Sequence, residues 1–160
     1  MATPTRSYDV IELLIRHDVE FIVVGMTAAV LQGVPAVTFD LDVIYSRDGA
    51  NIERSLEALR ELQAVFRGDE RRIAPNRSHL ESKGHKLLMT KFGIVDFLGS
   101  LGQFEYADLL VDTIVLPVAQ SSVRVLSLKR LIDVKASAGR DKDLAVLPLL
   151  RATLSRAKKQ

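Results

Sequence analysis

VTFDLDVIY, at residues 37–45, carries two aspartates, Asp40 and Asp42, in an otherwise apolar stretch. The pattern predicts a strand, and side chains alternate between the two faces of a strand. Because the aspartates are two residues apart, both carboxylates are expected on the same face. Like charges held together on a buried strand cost roughly several kcal/mol per ion unless a cation or strong donors compensate them. The stretch therefore predicts a divalent metal site. The alternative is a pair of strand-end carboxylates that cap a turn or meet a basic side chain.

A third carboxylate interrupts another apolar segment, IVDFL at residues 94–98, in which Asp96 is central. Mg²⁺ prefers oxygen ligands and usually takes one or two protein carboxylates, leaving its other positions to water and substrate phosphates. Three carboxylates on neighbouring strands could hold two such ions. Two ions about 3.5 to 4 Å apart stabilise the attacking and leaving oxygens of an in-line displacement. Asp40, Asp42 and Asp96 thus predict the chemistry of nucleotidyl transfer.

The composition is typical of a soluble globular protein, with 48% hydrophobic and 26% charged residues and a net charge of +2. A length of 160 residues fits one domain, so we expect a single domain over residues 1–160. No apolar run approaches the roughly 18 residues of a membrane span, and residues 1–9 lack a secretory signal pattern. The absence of cysteine excludes a thiolate zinc site and a thiol nucleophile. We therefore expect a cytoplasmic protein with no membrane partner.

Helical and extended patterns alternate along the chain and predict an α+β fold, in which helices flank a mixed β-sheet. Helices are predicted to begin near residues 7–9, to cover residues 26–32 and to cover residues 50–64. Strands are predicted at residues 20–24, 37–45, 85–90, 93–98, 113–118 and 123–126, with a hairpin between the third and the fourth. A helical segment over residues 127–160, interrupted by Pro148, is predicted to complete the domain.

Basic residues are concentrated between residues 66 and 86 and between residues 151 and 159. A solvated loop and a helix end that favours cations explain these two clusters. Contact with a polyanionic substrate is the alternative explanation.

Four segments together resemble a known family. They are VVGMTAAVLQGVP at residues 23–35, TFDLD at 38–42, VDFLG at 95–99 and KRLIDVKASAGRDKDL at 129–144. In order and spacing, the first three resemble the signature of the polymerase-β-type nucleotidyltransferases. The last is similar to a segment of the abortive-infection (AbiEii-like) nucleotidyltransferase toxins and their relatives. The resemblance implies the nucleotidyltransferase fold, a mixed sheet flanked by helices with a helical C-terminal segment.

The resemblance also implies roles for individual residues. Metal binding and catalysis would fall to the three carboxylates Asp40, Asp42 and Asp96. Contacts with the phosphates of a bound NTP would fall to Gly25, Thr27, Lys135 and Arg140. Without the resemblance, a solvated helix face would explain the spacing of the lysines in the last segment equally well.

The implied reaction is Mg²⁺-dependent transfer of a nucleoside monophosphate from an NTP, ATP included, to an acceptor hydroxyl, with release of pyrophosphate. Asp96, or a metal-bound hydroxide, would help to deprotonate the acceptor. The acceptor could be an RNA end, a protein side chain or a small molecule. The similarity to abortive-infection toxins adds the hypothesis of a toxin whose partner is a small helical antitoxin protein.

One departure from the family pattern favours a different class of protein. Relatives carry a second glycine or a serine after the first glycine of the phosphate turn, whereas this chain has Met26 after Gly25. A bulky side chain there would hinder the approach of a phosphate to the backbone. The alternative hypothesis is therefore a catalytically degenerate nucleotidyltransferase-fold module with a binding or regulatory role.

Overall fold

Helices and strands alternate through residues 3–159, the part of the chain that the computed structural model describes. The helices are α1 (Ser7–Arg16), α2 (Gly25–Leu31), α3 (Gly49–Glu61), α4 (Arg77–Glu81), α5 (Tyr106–Leu109), α6 (Leu128–Ala138) and α7 (Asp141–Lys158). The strands are β1 (Phe21–Val24), β2 (Leu41–Tyr45), β3 (Val65–Phe66), β4 (His85–Thr90), β5 (Gly93–Leu98), β6 (Thr113–Val118) and β7 (Ser121–Leu126). None of these helices is long and apolar enough to cross a bilayer.

The strands join in one sheet in the order β3-β4-β5-β2-β1-β7-β6. Strand β2 is parallel to β5, and β1 is parallel to β7, whereas the other neighbouring strands are antiparallel. The sheet is therefore mixed, and the predicted α+β class is confirmed. Because β2 and β5 are central neighbours, the two aspartate-bearing strands lie side by side.

The two faces of the sheet differ in how they are covered. One face carries the stacked rings of Tyr45 and Phe97, whose centroids are 4.3 Å apart, and the Tyr45 hydroxyl donates a hydrogen bond to a backbone carbonyl of α4. The other face carries Asp42 and Asp96. Strand β4 alternates between buried and exposed residues, and its exposed Leu87 pairs with Asp96. The aspartates therefore lie on the face whose β4 side is open to solvent.

Helices α6 and α7 form the predicted helical C-terminal segment. Ser127 caps α6 through its side chain, and Gly139 ends the helix in the left-handed conformation, with a φ of 66°. Helix α7 runs through Pro148 without a break, so the predicted interruption was wrong. Leu147 and Leu150 are buried on either side of the proline, and this packing offsets the one backbone hydrogen bond that proline cannot make.

Candidate active site

A cavity of about 950 Å³ opens between the sheet and the turn that joins α6 to α7. The sheet contributes three carboxylates to its lining, namely Asp40, Asp42 and Asp96. Helices α6 and α7 and the turn between them contribute basic side chains, namely Lys135, Arg140 and Lys142. Gly25 also lines the cavity. The lining therefore contains six of the seven residues predicted for the site, and Thr27 is the exception.

Asp42 and Asp96 are direct neighbours on the parallel strands β2 and β5. Burial, followed by the negative charges of Asp96 and Asp40, raises the pKa of Asp42 to about 7, while the charge of Lys135 acts in the opposite direction. The structure thus contains the predicted pair of mutually repelling carboxyls, formed between two strands rather than along one.

Asp40 lies just before β2, which begins at Leu41. Its backbone carbonyl accepts hydrogen bonds from the hydroxyl of Thr27, at 2.9 Å, and from that of Thr38, at 3.1 Å. Thr27 is buried, with only 5% of its surface exposed. Its hydroxyl therefore holds the backbone at Asp40 and has no place in the cavity.

Gly25 is the turn residue between β1 and α2, and its φ is +66°. A Cβ atom at this position would overlap with Oδ2 of Asp42. The glycine is therefore required by a carboxylate of the protein itself as well as by the left-handed backbone. Met26, the next residue, lines the cavity and packs in part against the hydrophobic core.

Asp143, which the sequence analysis did not assign to the site, connects the two predicted phosphate ligands. Its carboxylate lies 2.5 Å from Nε of Arg140 and 3.3 Å from Nζ of Lys135. The Asp143 side chain is 1% exposed, and the hydrogen bond from Arg140 holds its pKa below the ordinary value despite burial. Lys135 and Arg140 thus line the cavity as members of an ion-pair cluster that joins the end of α6 to the start of α7.

Arg67 is the second site residue that the sequence analysis did not single out. It follows β3, and its Nη2 atom lies 3.0 Å from Oδ1 of Asp96. The sequence signal was only the basic cluster at residues 66–86, because the contact depends on how β3, β4 and β5 align in the sheet.

The donor set of the cavity is suited to a hard cation, because three carboxylates offer only oxygen ligands. Asp42 and Asp96 are paired across β2 and β5, whereas Asp40 precedes β2 and lines the same cavity. Within residues 3–159, no three histidine, aspartate or glutamate side chains lie close enough together to hold a metal ion between them. By charge and chemistry the three carboxylates suit a divalent ion, whose charge would offset the burial and the repulsion that raise the pKa of Asp42.

Two solved structures resemble the whole of this fold. A candidate nucleotidyltransferase from Thermotoga maritima aligns with a TM-score of 0.56 and 19% identity, over 92% of this chain and 89% of that protein. The antibiotic-resistance factor ANT(2″)-Ia aligns with a TM-score of 0.56 and 14% identity, over 92% of this chain and 84% of its own. No family model and no curated protein matches the sequence. The likeness shows that the chain has the nucleotidyltransferase fold.

Proposed function

We propose that the protein is a metal-dependent nucleotidyltransferase. The observation that carries this proposal is the meeting of Asp40, Asp42 and Asp96 with basic side chains in one cavity of a nucleotidyltransferase fold. The cavity, at about 950 Å³, is at the upper end of the size range for small-molecule sites, which suits an NTP.

The three carboxylates would hold a divalent ion, for which Mg²⁺ is the first candidate. The same three side chains could hold a second ion beside it. Bound there, the metal would polarise phosphate oxygens and stabilise the charge that develops on them. Removal of the ion with a chelator is expected to abolish transfer without unfolding the protein.

The proposed reaction moves a nucleoside monophosphate from an NTP to an acceptor hydroxyl. The acceptor oxygen forms a bond to the α-phosphorus, the bond from that phosphorus to the oxygen bridging the β-phosphate breaks, and pyrophosphate leaves. The hydroxyl proton passes to the Asp96 carboxylate. Lys135 uses one of its three ammonium donors on Asp143 and directs the others to the phosphates, beside Arg140.

Binding of the donor nucleotide tests the site directly. Calorimetry with each NTP in the presence of Mg²⁺ is expected to show binding to the natural protein and loss of it in Asp42→Ala. Asp133→Ala is the matched control, since this aspartate is exposed on α6 and outside the cavity. Equal NTP binding by Asp42→Ala and the natural protein would contradict the assignment.

A role as the toxin of a toxin–antitoxin pair is the biological hypothesis that the resemblance to abortive-infection toxins supports. Expression of the natural protein is then expected to arrest growth, and Asp40→Ala is expected to restore it.

The acceptor is a separate question. It could be an RNA end, a protein side chain or a small molecule, and the component of a cell lysate that a labelled NTP modifies identifies it.

A degenerate binding or regulatory module is the second candidate function. Met26 favours it, because this side chain lines the cavity where relatives carry a small residue. The pairing of Lys135 and Arg140 with Asp143 also favours it, because part of their charge is already compensated. NTP binding without any transfer would support this candidate over the enzyme.

A further inference from the structure

Arg67 is held against the carboxylate pair by three contacts. Its Nη2 atom lies 3.0 Å from Oδ1 of Asp96, and its Nη1 donates a 3.0 Å hydrogen bond to the carbonyl of Leu88. Its backbone N–H donates to the carbonyl of Leu87. The guanidinium therefore reaches Asp96 from the β4 side of the sheet.

The charge at this position matters because the ion pairs given for the other basic groups of the cavity do not involve the site carboxylates. Lys135 and Arg140 form ion pairs with Asp143. Among residues 3–159, Arg67 is the one cation that forms an ion pair with any of the three site carboxylates, and its partner is Asp96. Its positive charge compensates part of the negative charge that a metal ion would otherwise neutralise.

The contact is also easy to break. The side chains of Arg67 and Asp96 are 29% and 16% exposed, and partly solvated ion pairs contribute little to stability. The strand that precedes Arg67, β3, has two residues and lies at the edge of the sheet. Displacement of the guanidinium would therefore leave the core and the central strands unchanged.

We propose that Arg67 is a resident counter-ion of the metal site, which pairs with Asp96 in the free protein and competes with a divalent cation for it. This inference rests on the proposed function, because it takes Asp96 as a metal ligand. Arg67 is a positioning residue in this scheme: it holds Asp96 until the ion arrives and lowers the affinity of the site for the ion.

The test is calorimetric titration of the full chain with Mn²⁺ alone at pH 8. Removal of the competing charge in Arg67→Gln is expected to tighten Mn²⁺ binding about tenfold, since a divalent ion close to a guanidinium is strongly repelled. Arg67→Lys keeps the positive charge, so its Mn²⁺ affinity is expected to stay within about threefold of that of the natural protein. Arg71→Gln is the matched control, because Arg71 lies nearby in sequence, is exposed and pairs with Asp69. Its Mn²⁺ affinity is expected to be unchanged.

Each outcome decides the inference. Unchanged or weaker Mn²⁺ binding by a folded Arg67→Gln, with normal binding by the natural protein, overturns the competition and leaves the metal site intact. An absence of Mn²⁺ binding in both proteins overturns the metal site and the inference together. If Arg67→Gln does not fold, Arg67→Met takes its place, because methionine removes the charge and keeps an aliphatic stem against β4.

Discussion

Asp42 determines how the charge of the site responds to pH. Its pKa rises from 3.8 to about 7 on folding, chiefly through burial and then through the charge of Asp96. The folded protein therefore holds this proton more tightly than the unfolded chain does. The corresponding stabilisation is complete below about pH 4 and is lost as the pH rises through about 7.

Asp42→Asn is expected to remove this pH dependence, because asparagine carries no titrating proton. In the absence of metal, the free energy of unfolding of the variant, relative to that of the natural protein, should rise by on the order of 3 kcal/mol between pH 4.5 and pH 8. Urea unfolding of both proteins at the two pH values measures the difference. If the two proteins differed in unfolding free energy by the same amount at pH 4.5 and at pH 8, Asp42 would not titrate in this range.

Gly25 is expected to be the least replaceable turn glycine of the cavity. Gly25→Ala places a Cβ against Oδ2 of Asp42 and adds left-handed strain, so it should cost more than about 3 kcal/mol of unfolding free energy. Gly102→Ala is the control, since Gly102 has a similar φ of +60° and nothing within 4 Å of the added carbon. It should cost about 1 kcal/mol. Similar costs for the two variants in urea unfolding would show that the contact with Asp42 is unimportant.

The sequence predicted the acidic residues of the site better than their partners. Asp42 and Asp96 could be identified because a carboxylate in an apolar strand is costly and therefore conspicuous. Asp40 was found through its spacing from Asp42, although it lies just before the strand. Arg67 and Asp143 could not, because an arginine in a polar loop and an aspartate in a first helical turn are common features. Their importance follows from tertiary contacts that residue patterns do not contain.

The α6–α7 connection is the element that brings basic side chains to the cavity, and Asp143 holds it together. Asp143→Asn would remove the anion that Lys135 and the largely exposed Arg140 share, and a loss of about 2 kcal/mol in unfolding free energy is expected. Asp141→Asn is the matched control, because Asp141 lies in the same first turn of α7 but is exposed. Thermal or urea unfolding of both variants measures the difference. Equal stability of the two would show that the buried cluster does not stabilise the turn.

Elements with a strong local pattern were predicted with nearly their observed bounds. The hairpin of β4 and β5 occupies the predicted residues, because two short, largely apolar runs flank a turn that ends at Gly93. Strand β3 and helix α4 were missed within a segment that is polar and short of periodic apolar residues. Helix α7 passes through Pro148 because burial of its neighbours outweighs the local cost, which residue preference alone does not reveal.

At the scale of the whole molecule, the cavity lies between two parts of the chain that are far apart in sequence. The sheet supplies the carboxylates, and the C-terminal helices supply the basic groups. The fold class followed from the alternation of strands and helices, and the strand order did not, because long-range pairing depends on packing throughout the sheet. The two-sided charge of the cavity supports nucleotidyl transfer over a purely structural role.

Transfer of the α-phosphate of an NTP tests this central claim most directly. Incubation with Mg²⁺, a cell lysate and NTPs labelled at the α- or the γ-phosphate is expected to label an acceptor from the α-position only, and Asp96→Asn should lower the yield at least about 100-fold. Labelling from the γ-position would indicate phosphoryl transfer instead. An absence of α-label from all four NTPs, with a folded protein that still binds them, would contradict the proposed enzyme and favour the binding module.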